Sequence, residues 1–172
     1  MGVQYLELIN KLPQAISSVF YTIIEGQKLI NTIPACMGLY SNLHFSSEMP
    51  EEKNRADIVH IGSTLQYIDE WQQLLFSLKE NYSPTYFVFS DLLAGDIPSF
   101  VSHQIFYDAV IPIRMYNLSE ILQNLDSLGY KLLFKSFFSP IILGRKNLPT
   151  ANLPKEYRIS QTVNLVFKYE NK

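Results

Sequence analysis

The stretch ADIVHIGSTLQYIDEWQQLL, residues 56–75, carries the decision about the fold. Its opening, DIVHI at 57–61, is a short run of mostly β-branched apolar residues and predicts a buried strand. Gly62 and Ser63 then break the run. Asp69 and Gln72 stand at capping-box spacing for a following helix. Ile68, Trp71, Leu74, Leu75 and Leu78 repeat at the helical period along one face. A buried strand, a polar turn and an amphipathic helix together form the repeating unit of a parallel sheet wrapped by helices.

The same grammar extends in both directions. Towards the N-terminus, VFYTII at 19–24 predicts a second buried strand that stops at Glu25 and Gly26. A helix is expected over 27–37, then a short strand, LHFS, at 43–46, then a polar stretch over 47–55. Tyr5, Leu8, Ile9 and Leu12 share helical spacing ahead of Pro13, so an amphipathic helix opens the chain. Towards the C-terminus, TYFVFS at 85–90 predicts a strand ending at Asp91. The residues between Asp91 and Asn117 read as a long irregular region. Asn117 caps a helix whose face is Leu118, Ile121, Leu122, Leu125 and Leu128, and Gly129 stops it. YKLLFKSFF (130–138) and ISQTVNLVFKY (159–169) are two further strands with no helical pattern between them, which predicts an antiparallel pair at a sheet edge.

The expected fold is therefore one domain over residues 1–172: a doubly wound α/β sheet, mostly parallel, covered on both faces and closed by a C-terminal antiparallel strand pair. Ligands in such sheets bind at the carboxyl ends of the strands. Glu25, Ser46 to Glu48, Gly62 to Tyr67 and Asp91 are the residues delivered there.

The composition bounds the function. With 172 residues, 47% of them hydrophobic and 17% charged, the chain has the material for a single core. A net charge of −2, with Lys and Arg scattered, gives no electrostatic reason for a nucleic-acid partner. Cys36 is the one cysteine, which excludes an internal disulfide or a thiolate-rich metal centre and suits a reducing compartment. The N-terminus lacks the pattern of a secretory signal, and no stretch approaches the roughly 18 apolar residues of a membrane span. These features together predict a cytoplasmic location. The sequence carries no metal-ligand spacing, nucleophile elbow or phosphate loop.

Residues 56–75 and the strand pair that ends the chain resemble the second and later parts of a class I S-adenosylmethionine-dependent methyltransferase, a Rossmann-like fold. In that family an aspartate opens the fourth strand and a polar turn leads into the next helix, as Asp57 to Ile68 do here. The string Leu65-Gln66-Tyr67-Ile68 is similar to a narrower group of methyltransferase-like proteins associated with surface-polysaccharide gene clusters. That group carries a later glutamine among aromatic residues, which His103-Gln104-Ile105-Phe106-Tyr107 matches in kind.

The resemblance implies S-adenosylmethionine as cofactor and a small-molecule or saccharide acceptor. It implies that Glu25 accepts the cofactor's two ribose hydroxyls, since a carboxylate can take both donors at once. Ser47 and Glu48 fall where the family meets adenine, and Ser63 and Thr64 lie on the cofactor's methyl-transfer side. Gln66, Tyr67, Gln104 and Tyr107 fall in the acceptor pocket, and His103 is the candidate base because its ordinary pKa lies near physiological pH. Each has a plainer reading: a solvated acid, a loop residue, a helix-start hydroxyl, a core aromatic, a surface histidine. Tyr116 reads equally as a pocket wall or as core, and His44 and His60 as structural residues within strands.

The family also holds the methionine end of the cofactor on a Gly-rich turn after its first strand, because only glycine lets the backbone approach so closely. Met1-Gly2-Val3 resembles the tail of that turn, with Gly2 as its cofactor-binding residue. The first strand is then expected to be absent from the sheet, with the opening helix, a displaced segment or a second copy of the chain covering the gap. A rival reading follows, in which the domain is a degenerate methyltransferase-like interaction module. A nicotinamide-dependent enzyme is disfavoured by the terminal strand pair.

Overall fold

In the computed structural model of the chain, which describes residues 3–14, 16–33, 40–50, 55–106, 108–139 and 148–170, the apolar runs become strands as expected. The chain divides into two compact units, Met1–Lys53 and Asn54–Lys172.

The first unit holds α1 (Val3–Lys11), β1 (Tyr21–Ile24), α2 (Gln27–Ile30) and β2 (Leu43–Ser46). β1 and β2 run parallel, in register from Tyr21 opposite Leu43 to Ile24 opposite Ser46. Tyr5 and Leu43 are buried, with Ile9, Tyr21, Ile23 and Phe45 packed around them. The Tyr5 hydroxyl, which needs a partner once buried, donates to Asn42 Oδ1 at 2.7 Å. Asn42 in turn donates to the Val19 carbonyl at 2.6 Å and so ties α1 to the entry of β1. The expected helix over 27–37 is a single turn, Gln27–Ile30. Residues 34–39, with Cys36, lie outside the described residues.

The second unit contains β3 (Ile58–Gly62), α3 (Trp71–Tyr82), β4 (Tyr86–Leu92), β5 (Ala94–Gly95), β6 (Phe100–Phe106), β7 (Ala109–Asn117), α4 (Leu118–Ser127), β8 (Tyr130–Phe138) and β9 (Thr162–Tyr169). Its main sheet has the order β3-β4-β9-β8. β3 and β4 are parallel, while β9 is antiparallel to β4 on one side and to β8 on the other. The terminal pair is therefore antiparallel as expected, with β8 at the edge and β9 inside.

One apolar cluster joins both helices to this sheet. Trp71, Leu75 and Leu78 from α3 and Ile121 and Leu125 from α4 pack on Phe87, Phe89, Val163, Leu165 and Phe167. Alternation along β4 buries Phe87, Phe89 and Leu92 in this layer. Both helices of the unit thus cover one face. Ile58 on β3 and Phe134 on β8 remain 59% and 55% exposed, so the two-faced covering expected of a doubly wound sheet is not completed within this unit.

α4 starts and stops as its sequence requires. The Asn117 side chain accepts the Ser119 N–H at 2.8 Å, and Gly129 takes the left-handed conformation, φ +89°, that ends the helix. Two expectations are corrected. Asp69 does not cap α3: the cap position is Glu70, which makes no side-chain capping bond, and Asp69 instead faces Arg114 at 3.8 Å. The region after Asp91 is not irregular: β6 and β7 form an antiparallel hairpin, and β5 pairs in parallel with the end of β7. Pro112 is accommodated in β7 because, among the described residues, the strand is paired at that position with β6 on one side only.

Candidate functional site

Two parallel strand pairs each bring polar residues to their carboxyl edge, the end where such sheets bind ligands. In the first unit, Glu25 follows β1 directly, and its N–H donates to the Ser46 carbonyl at 3.0 Å, extending the ladder by one residue. The carboxylate is half-buried and makes no ion pair among the described residues. Gly26 follows in extended conformation, and a Cβ placed on it would meet nothing within 4 Å, so open space lies beside the acid. At the end of β2 the Ser46 hydroxyl donates to the Glu48 carbonyl at 2.6 Å and accepts the Glu48 N–H at 3.1 Å. That turn leaves Ser47 and Glu48 exposed. Glu25, Ser47 and Glu48 therefore share one edge.

In the second unit, β3 ends at Gly62 and β4 runs one residue past Asp91. The Ser63 N–H donates to the Ser90 carbonyl at 2.9 Å, and the Ser63 hydroxyl donates to Asp91 Oδ2 at 2.7 Å. Thr162, buried at the start of β9, donates to Asp91 Oδ1 at 2.7 Å. The Asp91 N–H donates to Asn164 Oδ1 at 2.9 Å. Ser63 and Asp91 both have positive φ, 49° and 55°, where a side chain is strained. Thr64 turns its hydroxyl back to the Gly62 carbonyl at 2.7 Å.

The turn Leu65–Tyr67 comes next. The Tyr116 hydroxyl donates to the Leu65 carbonyl at 2.7 Å, and the Tyr116 ring meets Trp71 edge-on at 5.4 Å. Burial pushes the Tyr116 phenol well above the usual tyrosine range, so it stays a neutral donor. Tyr116 thus belongs to the core and fixes the turn. Tyr67, by contrast, is 45% exposed, and its hydroxyl donates to Gln104 Oε1 at 3.0 Å. Burial, and then the nearby Asp91 carboxylate, raise the Tyr67 phenol above its ordinary value. Gln66 is buried, and its Oε1 has no hydrogen-bond partner among the described residues. A buried acceptor left alone costs about 1–3 kcal/mol.

The structure therefore bonds Ser63 to Asp91 and sets Tyr67, itself bonded to Gln104, where it feels the Asp91 charge; the sequence placed Asp91 at the sheet edge without giving it a role. Its signal was positional: a carboxylate directly after an apolar strand. His103 lies on β6 opposite Pro112, on the strand face away from Gln104, and is exposed. His60 bonds to Ser90 Oγ at 2.8 Å, a structural role between neighbouring strands. Gly2 and Tyr107 lie outside the described residues, and no group of three metal-ligating side chains gathers among the described ones. No helix among the described residues is long and apolar enough to cross a membrane.

A sheet running β3-β4-β9-β8, with the last strand slotted in antiparallel, has its likeness among solved structures of Rossmann-like methyltransferases. The chain is similar to the CcbJ methyltransferase from Streptomyces caelestis, at a TM-score of 0.56 and 12% identity over 93% of this chain and 78% of that one. It is similar to the glycopeptide N-methyltransferase MtfA in complex with S-adenosyl-L-homocysteine, at 0.56 and 12%, over 87% and 73%. A third neighbour is the 1,6-didemethyltoxoflavin-N1-methyltransferase of Burkholderia thailandensis, at 0.54 and 13%, over 86% and 59%. No protein-family model matches the chain, and no curated protein matches it. At these identities the likeness establishes the fold, that of S-adenosylmethionine-dependent methyltransferases.

Proposed function

We propose that this chain is a methyltransferase-like domain that binds S-adenosylmethionine and transfers its methyl group to a small-molecule or saccharide acceptor. The observation that carries the reading is the placing of polar side chains at the carboxyl edges of both parallel pairs, in a fold shared with methyltransferases that act on small molecules and glycopeptides. Glu25 suits the cofactor's ribose: a carboxylate without a cation partner among the described residues, at a strand end, beside open space at Gly26. Ser47 and Glu48, on the same edge, are assigned to the adenine, and Ser63 and Thr64 to the methyl-transfer side. Gln66, with an unmatched buried acceptor, and Tyr67 with Gln104 are assigned to the acceptor pocket, extended by Tyr107. The cofactor supplies an electrophilic methyl group. The protein's part is to orient the acceptor in line with it, and orientation can supply much of the rate. On this reading the protein works in the cytoplasm.

Among the described residues, β1 is paired only with β2, and β3 only with β4. Each keeps one edge open to a further parallel strand. We assign Gly2 to the methionine end of the cofactor. The open edges favour a second reading, in which the domain binds partner chains or a second copy and performs no chemistry.

A two-dimensional NMR titration with S-adenosylhomocysteine up to millimolar concentration separates the two readings, since it detects weak binding. Saturable shifts at Glu25–Gly26, Ser47–Glu48 and Ser63–Thr64 are expected. Absence of shifts at both edges would overturn the methyltransferase reading.

A further inference from the structure

We infer that Asp91 is the acceptor-binding residue of the site and that the group it receives is an amine. The inference rests on the methyl-transfer reading above and gives it a substrate class.

The starting point is backbone strain at the carboxyl edge of the sheet. Among the described residues, three other than glycine have positive φ: Ser63, Ser83 and Asp91. Ser83 ends α3 in the left-handed position that helix ends normally use. Ser63 and Asp91 end no helix. They stand side by side at the ends of β3 and β4 and bond to each other at 2.7 Å. The β4–β9 register slips between Phe89 and Leu92, so that β4 carries one extra residue there. Such bulges redirect side chains at the rims of sheets. The slip leaves the Asp91 N–H without a strand partner, and Asn164 Oδ1 takes it at 2.9 Å.

The result is a carboxylate held at both oxygens. Ser63 donates to one and Thr162 to the other, each at 2.7 Å. Every oxygen of an ionised carboxylate has two acceptor sites, so each keeps one for a ligand. The polar groups bonded to Asp91, together with the nearby Tyr67, are neutral hydroxyls and an amide. The ion pairs formed among the described residues lie elsewhere, at Lys79–Glu80, Arg114–Asp69 and Lys131–Asp126. A fixed negative charge without a protein cation draws a cationic or N–H-bearing group and repels carboxylate or phosphate.

The chemistry narrows this to an amine. An alkylammonium group pairs with the carboxylate and releases one proton to water. Its neutral nitrogen then attacks the methyl carbon, the carbon–sulfur bond breaks, and the electron pair remains on sulfur as a thioether. The positive charge of the sulfonium thereby moves to nitrogen, beside Asp91, where a preorganised carboxylate stabilises it as it develops. A hydroxyl acceptor would instead lose its proton and build negative charge against the same carboxylate, which is also a poor base for an alcohol.

The test uses the whole chain in NMR titrations with matched probes: glucosamine against glucose and N-acetylglucosamine, and benzylamine against benzyl alcohol. The amines should shift the amides of Ser63, Tyr67, Asp91 and Thr162 saturably, and their neutral counterparts should not. Asp91→Asn, nearly isosteric, should weaken amine binding tenfold or more. Ser63→Ala, a change at an exposed residue, should weaken it severalfold and serves if the first variant does not fold. Equal binding of amine and alcohol, unaltered binding by both variants, or no amine shifts at these residues would overturn the proposal. Amine binding at Asp91 without any response to S-adenosylhomocysteine would instead defeat the methyl-transfer reading and leave the cation site standing.

Discussion

At the scale of single residues, strain separates structural positions from those that hold a ligand-facing group. Ser83, φ +41°, is strained only because a helix ends there. Ser83→Gly should therefore stabilise the fold by several tenths to about 1 kcal/mol, since glycine adopts that conformation freely. Ser63→Gly relieves a similar strain but also removes the donor to Asp91 Oδ2, so its net effect should be close to zero. Thermal melts of the two variants check both outcomes, and an equal gain would mean that the Ser63 hydroxyl contributes nothing. For Glu25, calorimetric titration of S-adenosylhomocysteine offers the corresponding test. A hydrogen bond to a charged group is worth about 1.5–3 kcal/mol, so Glu25→Ala should weaken binding roughly ten- to a hundredfold, and Glu25→Gln less. Equal affinities would return Glu25 to the role of a solvated acid. The candidate site was legible in part. Glu25, Ser63 and Tyr67 could be placed because a strand end is visible as the point where an apolar run stops. The partnership of Tyr67 with Gln104 was not, since it depends on how a hairpin lies against a turn 37 residues away in sequence.

At the scale of elements, legibility followed periodicity. α4 was readable because cap, stripe and glycine stop agree with one another. The β6–β7 hairpin was hidden because Ser102, His103 and Gln104 break its apolar alternation and Pro112 interrupts the partner strand. Gly129→Ala tests the helix stop. At φ +89° an added Cβ is strained and falls 2.9 Å from the Tyr169 ring. Destabilisation by more than about 1 kcal/mol is expected in chemical denaturation, and a neutral result would show that the ring moves aside freely. The β3–β4 pair offers a pH test through His60. Burial lowers the pKa of its ring, so the folded state binds the proton less readily than the unfolded one. The stability contributed by the neutral ring is complete above about pH 6.5 and is lost as pH falls through the lowered value. The melting temperature should drop slightly as pH falls below about 6.5, the effect being small because the residue is partly exposed, and His60→Gln should flatten that part of the profile. Parallel profiles would assign the titration elsewhere.

At the scale of the molecule, the two units differ in what holds them. Among the described residues, the second has a cluster of fifteen buried residues linking two helices to five strands, while the first has two buried apolar residues, Tyr5 and Leu43. Local stability follows buried apolar contacts. Hydrogen exchange should therefore be slowest in β4 and β9, which are paired on both sides, and much faster throughout β1 and β2. Comparable protection in the two units would show that the first unit draws stability from contacts beyond its own. The extra residue of β4 bears on how this protein can change over generations. Side chains alternate with a period of two, so deleting one residue between Phe89 and Leu92 would return β4 to regular register with β9, keep Phe89 and Leu92 in the core layer and erase the bulge that presents Asp91. Loops elsewhere can gain or lose residues at little cost. This short stretch of β4 is length-locked, and among descendants of this sequence its residue count should outlast the identities of the residues themselves.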